Sequence, residues 1–269
     1  MTAAAPARGA RPARPRRSPI LAIGFAAFLV VSWWSISDEF GIGLELDRLI
    51  DNATRGAGII GELLAPNWEF LSRTAEPMLQ TIQMAIIAAA IGCGLALPIS
   101  FFVSRVTAPN RVVLGAGRAL LSVVRAVPDI LYALVFVAAA GIGPLPGIMA
   151  LILFNIGVVA KLLSETVDGI DPGPIEAGRA SGATRTQVVR WAVLPQVLPH
   201  YVAYALYTFE LNIRASTVLG IVGAGGIGRL LYAEYGLFRW SNVSVIIVEL
   251  FVFVLAIETV SIWLRRRLV

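Results

Sequence analysis

The chain has 269 residues, of which 57% are hydrophobic and only 14% charged, and its mean hydropathy is +0.78. Soluble domains carry about a quarter charged residues, so the composition excludes an ordinary soluble domain and indicates an all-α, polytopic membrane protein. The net charge of +5 does not describe a nucleic-acid surface, because the arginines gather at the chain ends and in short loops rather than along one stripe.

Residues 1–17 are dominated by Ala, Pro and Arg and cannot bury enough apolar surface to fold, which predicts a disordered basic cytoplasmic tail. Apolar segments follow at about 19–36, 78–104, 113–141, 145–164, 200–222 and 243–264. Most are near the roughly 20 residues that cross a bilayer. Some six spans put both termini on one side, and the basic residues agree. Arg8 to Arg17, Arg105, Arg111, Arg179, Arg185, Arg190 and Arg265 to Arg267 all then fall in the cytoplasm. The expected organisation is a first transmembrane helix over 18–37, an extracytoplasmic segment over 38–77, and a transmembrane domain over 78–269 with a cytoplasmic loop at 165–199. The outer segment holds eight acids against Arg48, Arg55 and Arg73, as the charge rule requires.

Two readings of the N-terminal third stay open. The first apolar run ends in Trp33-Trp34 with no small-residue cleavage site, which suits an interfacial anchor, with a cleaved signal peptide as the competing reading. Trp240 and Trp263 bracket the last span in the same way. Segment 44–64 places Leu46, Ile50, Ala53, Ala57, Ile60 and Leu64 at helical spacing, with Gly56, Gly58 and Gly61 interrupting. It reads either as a helix lying along the outer surface or as a connecting loop.

Several spans carry polar groups that lipid disfavours. Span three holds Arg118, Arg125 and Asp129, and the spacing of four predicts that Arg125 and Asp129 meet on one helix face beside Pro128. Span four ends with Lys161 and Glu165 at the same spacing. Span five holds Glu210, Asn212, Arg214, Ser216 and Thr217, with Glu210 and Arg214 in the favourable acid-first order. Counted from the cytoplasmic ends at 1.5 Å per residue, Arg125 and Arg214 fall near mid-membrane. Either the pairs neutralise each other and staple helices, or Arg125, Asp129, Asn212, Arg214, Ser216 and Thr217 line a passage for a small anion.

The motif survey removes most enzymatic readings. Gly223 to Gly228 reads GAGGIG and satisfies G-x-G-x-x-G, with Glu249 at the distance of a ribose-binding acid. The flanks are membrane-length apolar runs rather than a βαβ unit, so nucleotide binding is rejected. Gly223, Gly225, Gly226 and Gly228 instead suit a tight re-entrant turn, a gate or a close helix contact. The lone lysine, Lys161, lies in VVAKLL, so there is no Walker A sequence. One cysteine (Cys93, in an apolar run) excludes an intramolecular disulfide, and one histidine (His200) argues against a metal site.

The most informative stretch is polar: EAGRASGATRTQVVRWAVLP, from Glu176 to Pro195. Asp171-Pro172-Gly173-Pro174 starts a helix whose first turns hold Glu176, where a negative charge suits the dipole. Gly182 breaks it, and Thr184 or Thr186 caps a second helix that runs to Leu194-Pro195. This stretch resembles the cytoplasmic coupling motif of ABC importer permeases: E-A-A, three residues, G, nine residues, I-x-L-P. Glu176, Ala177, Gly182, Leu194 and Pro195 match in register, and Gly178 and Ala192 replace the usual Ala and Ile. The segments APNWEFL, RAVPDILYAL, GIGPLPGIMAL and FELNIRASTVLGIVGAGGIG, across roughly residues 65–232, resemble phosphonate-type (PhnE-like) permeases.

That resemblance implies a type I ABC importer permease fold in the bacterial inner membrane. It implies transport of phosphonate, phosphate or phosphite by alternating access, with no cofactor in this chain and ATP and magnesium held by a partner. The implied partners are a second permease subunit, two P-loop ATPase subunits that grip the loop around Glu176, Ala177, Gly178 and Gly182, and an extracytoplasmic substrate-binding protein. No role in catalysis is expected. An ion-coupled secondary anion transporter is the alternative, disfavoured because no internal inverted repeat is evident and most internal acids have basic partners.

Overall fold

Where the chain must bury backbone among lipid, every polar group has to be satisfied within the element, and the helix is the form that does so. The computed structural model describes residues 19–36 and 46–268, and all regular structure among them is helical. The basic tail expected over 1–17 and residues 38–45 of the expected outer segment lie outside the described residues. The chain divides into two compact units, residues 1–58 and 59–269. The first contains α1 (Pro19–Ile36), whose apolar side chains, Phe25, Phe28 and Trp33 among them, are exposed, and α2 (Leu46–Asp51). α3 (Ala53–Leu63) follows after a break at Asn52, so within the ambiguous segment 44–64 the described residues 46–63 are helical in two pieces.

The second unit begins within α3, and a single 3-10 turn, Trp68–Phe70, then runs into α4 (Leu71–Val103), which is 33 residues long. The predicted span began at 78, so the helix starts a full two turns earlier. Then come α5 (Arg111–Ala126), α6 (Asp129–Ala140), α7 (Pro144–Asp168), α8 (Gly173–Ala180), α9 (Arg185–Val188), α10 (Leu194–Ile221), α11 (Gly226–Gly236) and α12 (Trp240–Leu268). Helices covering 68–103, 144–168 and 240–266 are each long and apolar enough to cross a membrane alone. Two further crossings require bent pairs: α5 with α6 at 83°, and the helix over 185–221 with α11 at 43°. The six apolar stretches are thus all helical, but only three are unbroken spans of sufficient length.

The core is built by α4, α7 and α10. Helices in lipid gain little from apolar burial and associate through close packing, which favours small residues at the seam. Ala85, Ala88, Ala89, Gly92 and Ala96 on α4 and Ala150, Gly157 and Ala160 on α7 supply that surface. At Gly92 the fit leaves no room for a side chain, since a Cβ there would stand 2.5 Å from Cβ of Asn155. One buried cluster, Ala88, Ala133, Ala150, Leu151, Leu219 and Ala224, joins α4, α6, α7 and the end of α10. Another, Leu163, Val167, Ile175, Val188, Ala192, Val193 and Val197, packs the end of α7 against α8 and α9.

Two expectations need correction. Arg125 and Asp129 do not share a helix face. Val127 is extended (φ −88°, ψ 123°), because the residue before a proline is driven out of the helical region, and Pro128 cannot donate to the ladder. The span therefore folds over by 83° between the two residues. The second helix of the polar loop also does not stop at Leu194-Pro195. α9 passes through one π turn, Val189–Val193, directly into α10. The Leu194 N–H bonds to Val189 O, five residues back, so the widened turn absorbs the missing N–H of Pro195 without ending the helix.

Candidate functional site

The polar segment is mounted on a packed base. α8 buries Ile175 in the cluster with Val188, Val193 and Val197, while Glu176 and Ala177 are exposed on its other side. Gly178 faces Val188, and a Cβ there would stand 3.4 Å from Cγ2, an ordinary contact distance, so the usual Ala would also fit. Ala192, the departure from the usual Ile, is buried in the same cluster. α8 ends at Ser181, and Gly182 reverses the chain at φ +76° with nothing within 4 Å of a built Cβ. Conformation rather than space demands glycine there. Thr184 then caps α9: Gln187 Oε1 accepts its N–H at 2.7 Å and its hydroxyl at 2.8 Å. Leu194 is half-buried and Pro195 exposed.

A hydrogen-bonded hub lies beside this segment and was not foreseen. Asp168, the last residue of α7, accepts from Ser104 Oγ at 2.7 Å, the Arg105 N–H at 2.6 Å and Arg118 Nη2 at 2.8 Å. Arg118 also donates from Nε to Val103 O at 2.9 Å. Arg185 donates to Thr107 O at 2.6 Å and to Ala108 O, tying α9 to the loop between α4 and α5. Apart from Arg118 and Val103, 15 residues apart, the partners lie 50 to 78 residues apart, beyond any local pattern. One signal was readable: a carboxylate at a helix C-terminus opposes the dipole, so Asp168 needed a tertiary partner.

Arg125 and Asp129, separated by the bend, line one cleft of about 320 Å³ with Val124, Tyr132, Phe154 and Gly157. Gly157 makes room for the Arg125 stem, since a Cβ there would stand 3.0 Å from Arg125 Cγ. Arg125 is exposed, and among the described residues no ion pair involves it. Asp129 Oδ1 accepts the Ile130 N–H at 2.9 Å, and Tyr132 donates its hydroxyl to Val124 O at 3.0 Å across the bend. The cleft therefore presents a cation, a carboxylate and two ends of broken helix.

The polar set on α10 is arranged differently. Arg214 pairs with Glu210, as the spacing predicted, and Arg265 of α12 approaches the other Glu210 oxygen at 3.9 Å. The Glu210 side chain is only 7% exposed and that of Arg214 49%. Since Arg265 belongs to the basic end of the last helix, this pair stands beside that end rather than far above it. Lys161 and Glu165 also pair, at 2.7 Å. Asn212 is fully buried and donates to Ala85 O at 3.3 Å, while its Oδ1 has no partner. Ser216 and Thr217 return their hydroxyls to Ile213 O at 2.9 and 3.2 Å. None of the four lines the cleft at Arg125. Asn155 on α7, overlooked in the sequence, is also fully buried with both amide atoms unpaired.

The four glycines form a buried turn between helices, with no strand beside it among the described residues. Gly223, Gly225 and Gly226 take φ +89°, +82° and +71°. The Gly226 N–H donates to Gln80 Oε1 at 2.7 Å and the Ile227 N–H to Thr81 Oγ1 at 2.8 Å, while Gly143 N–H donates to Gly223 O at 3.0 Å. The turn is fastened to α4 and to the start of α7. Gly228 lies so close to α10 that a Cβ there would be 1.9 Å from Thr217 O.

Residues 96–269 match the family described as binding-protein-dependent transport system inner membrane component. The chain is 36% identical over 247 residues to a phosphite transport system permease protein, PtxC, of Stutzerimonas stutzeri, covering 91% of this chain and 87% of that one. It is 41% identical over 213 residues to a phosphate-import permease protein, PhnE, of Mycolicibacterium smegmatis, covering 79% of this chain and 40% of that one. Its fold is similar to that of a solved inward-facing MetNI methionine ABC transporter, with TM-score 0.65 and 25% identity over 76% of this chain and 99% of that one.

Proposed function

The chain belongs to the family of binding-protein-dependent transport system inner membrane components, and from that premise we propose that it is the permease subunit of an ATP-driven importer of phosphorus oxyanions. It is a transport subunit and not an enzyme, and it sits in the inner membrane. Phosphite, phosphate and phosphonate share a tetrahedral, multiply charged head, and the names of the relatives from Stutzerimonas stutzeri and Mycolicibacterium smegmatis support that class. A second permease copy completes the path, two ATPase subunits bind ATP and magnesium, and an extracytoplasmic binding protein delivers the anion. Both termini lie in the cytoplasm.

The observation that carries this reading is the exposed Glu176-Ala177 face of α8, held on a buried apolar base and followed by the Gly182 reversal. A membrane protein with no P-loop must receive the energy of ATP through a docking element, and this segment has the needed shape and exposure. ATP binding favours one arrangement of the ATPase pair, and only differential contact with Glu176 to Gly182 passes that preference to the membrane helices. Arg125 and Asp129, with Asn212, Arg214, Ser216 and Thr217, are the groups assigned to the anion path, and the turn at Gly223, Gly225, Gly226 and Gly228 to its gate.

The test is reconstitution of the tagged permease with its ATPase and binding protein in vesicles. ATP-dependent uptake of at least one phosphorus oxyanion, stimulated by loaded binding protein, is expected. Uptake driven by an ion gradient without ATPase would overturn the assignment.

A further inference from the structure

The hub at Asp168 and the clamp at Arg185 form one continuous connection, and we propose that they transmit movement of the docking segment to the α5–α6 bend. The inference rests on the importer reading above. Arg185 stands at the start of α9, directly after Gly182 and Thr184, and holds the carbonyls of Thr107 and Ala108. Thr107 is buried and its hydroxyl donates to Phe101 O at 2.6 Å, so this loop does not yield independently of α4. Ala108 N–H in turn bonds to Ser104 O at 2.9 Å. Ser104 and Arg105 hand the connection to Asp168, and Asp168 hands it to Arg118 on α5.

Arg118 and Arg125 lie seven residues apart on the same helix, about 10 Å at 1.5 Å per residue. Val103 seals α4 to α5 at this level, since a Cβ at Gly117 would stand 2.6 Å from its Cγ1. A displacement of α9 therefore reaches the cleft through fixed bonds and a rigid helix. The links made by Arg185, Arg118 and Asp168 are charge-assisted and stronger than an ordinary neutral hydrogen bond, while the Thr107 and Ala108 links between them are neutral. The surface charge rule explains why arginines lie on this side; it does not explain why Arg118 and Arg185 are both spent on fixed partners within the chain. Arg185 and Asp168 are accordingly positioning residues.

Arg185→Ala, Arg185→Lys and Asp168→Asn separate this role from a structural one. Asp168→Asn keeps the shape but sets an amide against Arg118, and Lys retains donors for the two carbonyls. Each variant is purified with its ATPase, and both uptake and ATP hydrolysis are measured in vesicles with loaded binding protein. The expected result is normal ATPase co-purification and continued ATP hydrolysis, with anion taken up per ATP reduced about tenfold in Arg185→Ala and Asp168→Asn, and most coupling restored in Arg185→Lys. Wild-type uptake per ATP in Arg185→Ala and Asp168→Asn would overturn the inference. So would loss of ATPase co-purification in both, which assigns the residues to assembly alone. Wild-type protein that takes up no phosphorus oxyanion would instead refute the importer reading, since the ratio has no meaning without it.

Discussion

Replacing Arg125 by Gln removes the cation from the cleft while keeping the stem that rests against Gly157. A hydrogen bond to a charged group contributes roughly 1.5–3 kcal/mol, and Arg125 has no carboxylate partner to satisfy in its absence. Because Arg125 is exposed and screened, the lower end applies, and about 1.4 kcal/mol corresponds to a tenfold change. Uptake at limiting anion should therefore fall about tenfold in Arg125→Gln, with assembly and basal ATP hydrolysis retained. Arg214→Ala should behave differently. It leaves Glu210, 7% exposed, with only Arg265 at 3.9 Å, so the loss appears first as stability. Breaking a buried pair costs about 3–5 kcal/mol, but Arg214 is half-exposed, which reduces the figure to about 1–2 kcal/mol. The assay pairs vesicle uptake of labelled phosphite, phosphate and a phosphonate with thermal unfolding in detergent. Unchanged uptake in Arg125→Gln, together with lost uptake at full stability in Arg214→Ala, would refute the reasoning and leave the α10 groups alone as the anion path.

Glu176→Lys should leave the permease folded, since Glu176 is exposed, and Gly182→Trp meets open space at a left-handed backbone cost of about 1–2 kcal/mol, yet both should abolish coupled uptake; normal uptake in both would sink the docking assignment. Gly228→Ala forces a Cβ to within 1.9 Å of Thr217 O, so α10 or α11 must move, and a loss at or above the usual 1–3 kcal/mol, about that of overpacking, is expected in unfolding assays. Asn155→Leu exchanges two unpaired buried amide atoms for an apolar group of similar size and should leave stability equal or higher by about 1 kcal/mol; a marked drop in the unfolding temperature would mean that the amide is bonded after all.

The parts of this molecule that were legible in its sequence are those governed by local rules. A polar run inside an apolar chain stood out, Gly182 was read as a break because only glycine takes φ +76° without strain, and Glu210 with Arg214 followed from helical spacing. The same spacing rule misplaced Arg125 and Asp129, because it assumes an unbroken helix and Val127-Pro128 breaks it. Leu194-Pro195 was read as a stop, whereas a π turn carries the helix through. The partners of Asp168, Arg185, Gln80 and Thr81 were not legible, since they lie 50 to 146 residues away and no periodicity encodes such distances. Context decided GAGGIG: the residues fit a nucleotide fingerprint, and the membrane-length flanks ruled it out.

The passage from α9 into α10 without a stop has a mechanical corollary. Residues 185–221 form one rod, about 55 Å long at 1.5 Å per residue. Its far end is bolted, where the glycine turn is tied to Gln80, Thr81 and Gly143. Its near end is held as well, by Arg185 on the Thr107 and Ala108 carbonyls, so a tilt of about 5° about the turn carries Arg185 and the loop after α4 together through roughly 5 Å over that length. A small rotation at the membrane seam is thereby geared to about 5 Å of travel beneath it, shared by the rod and the loop that follows α4.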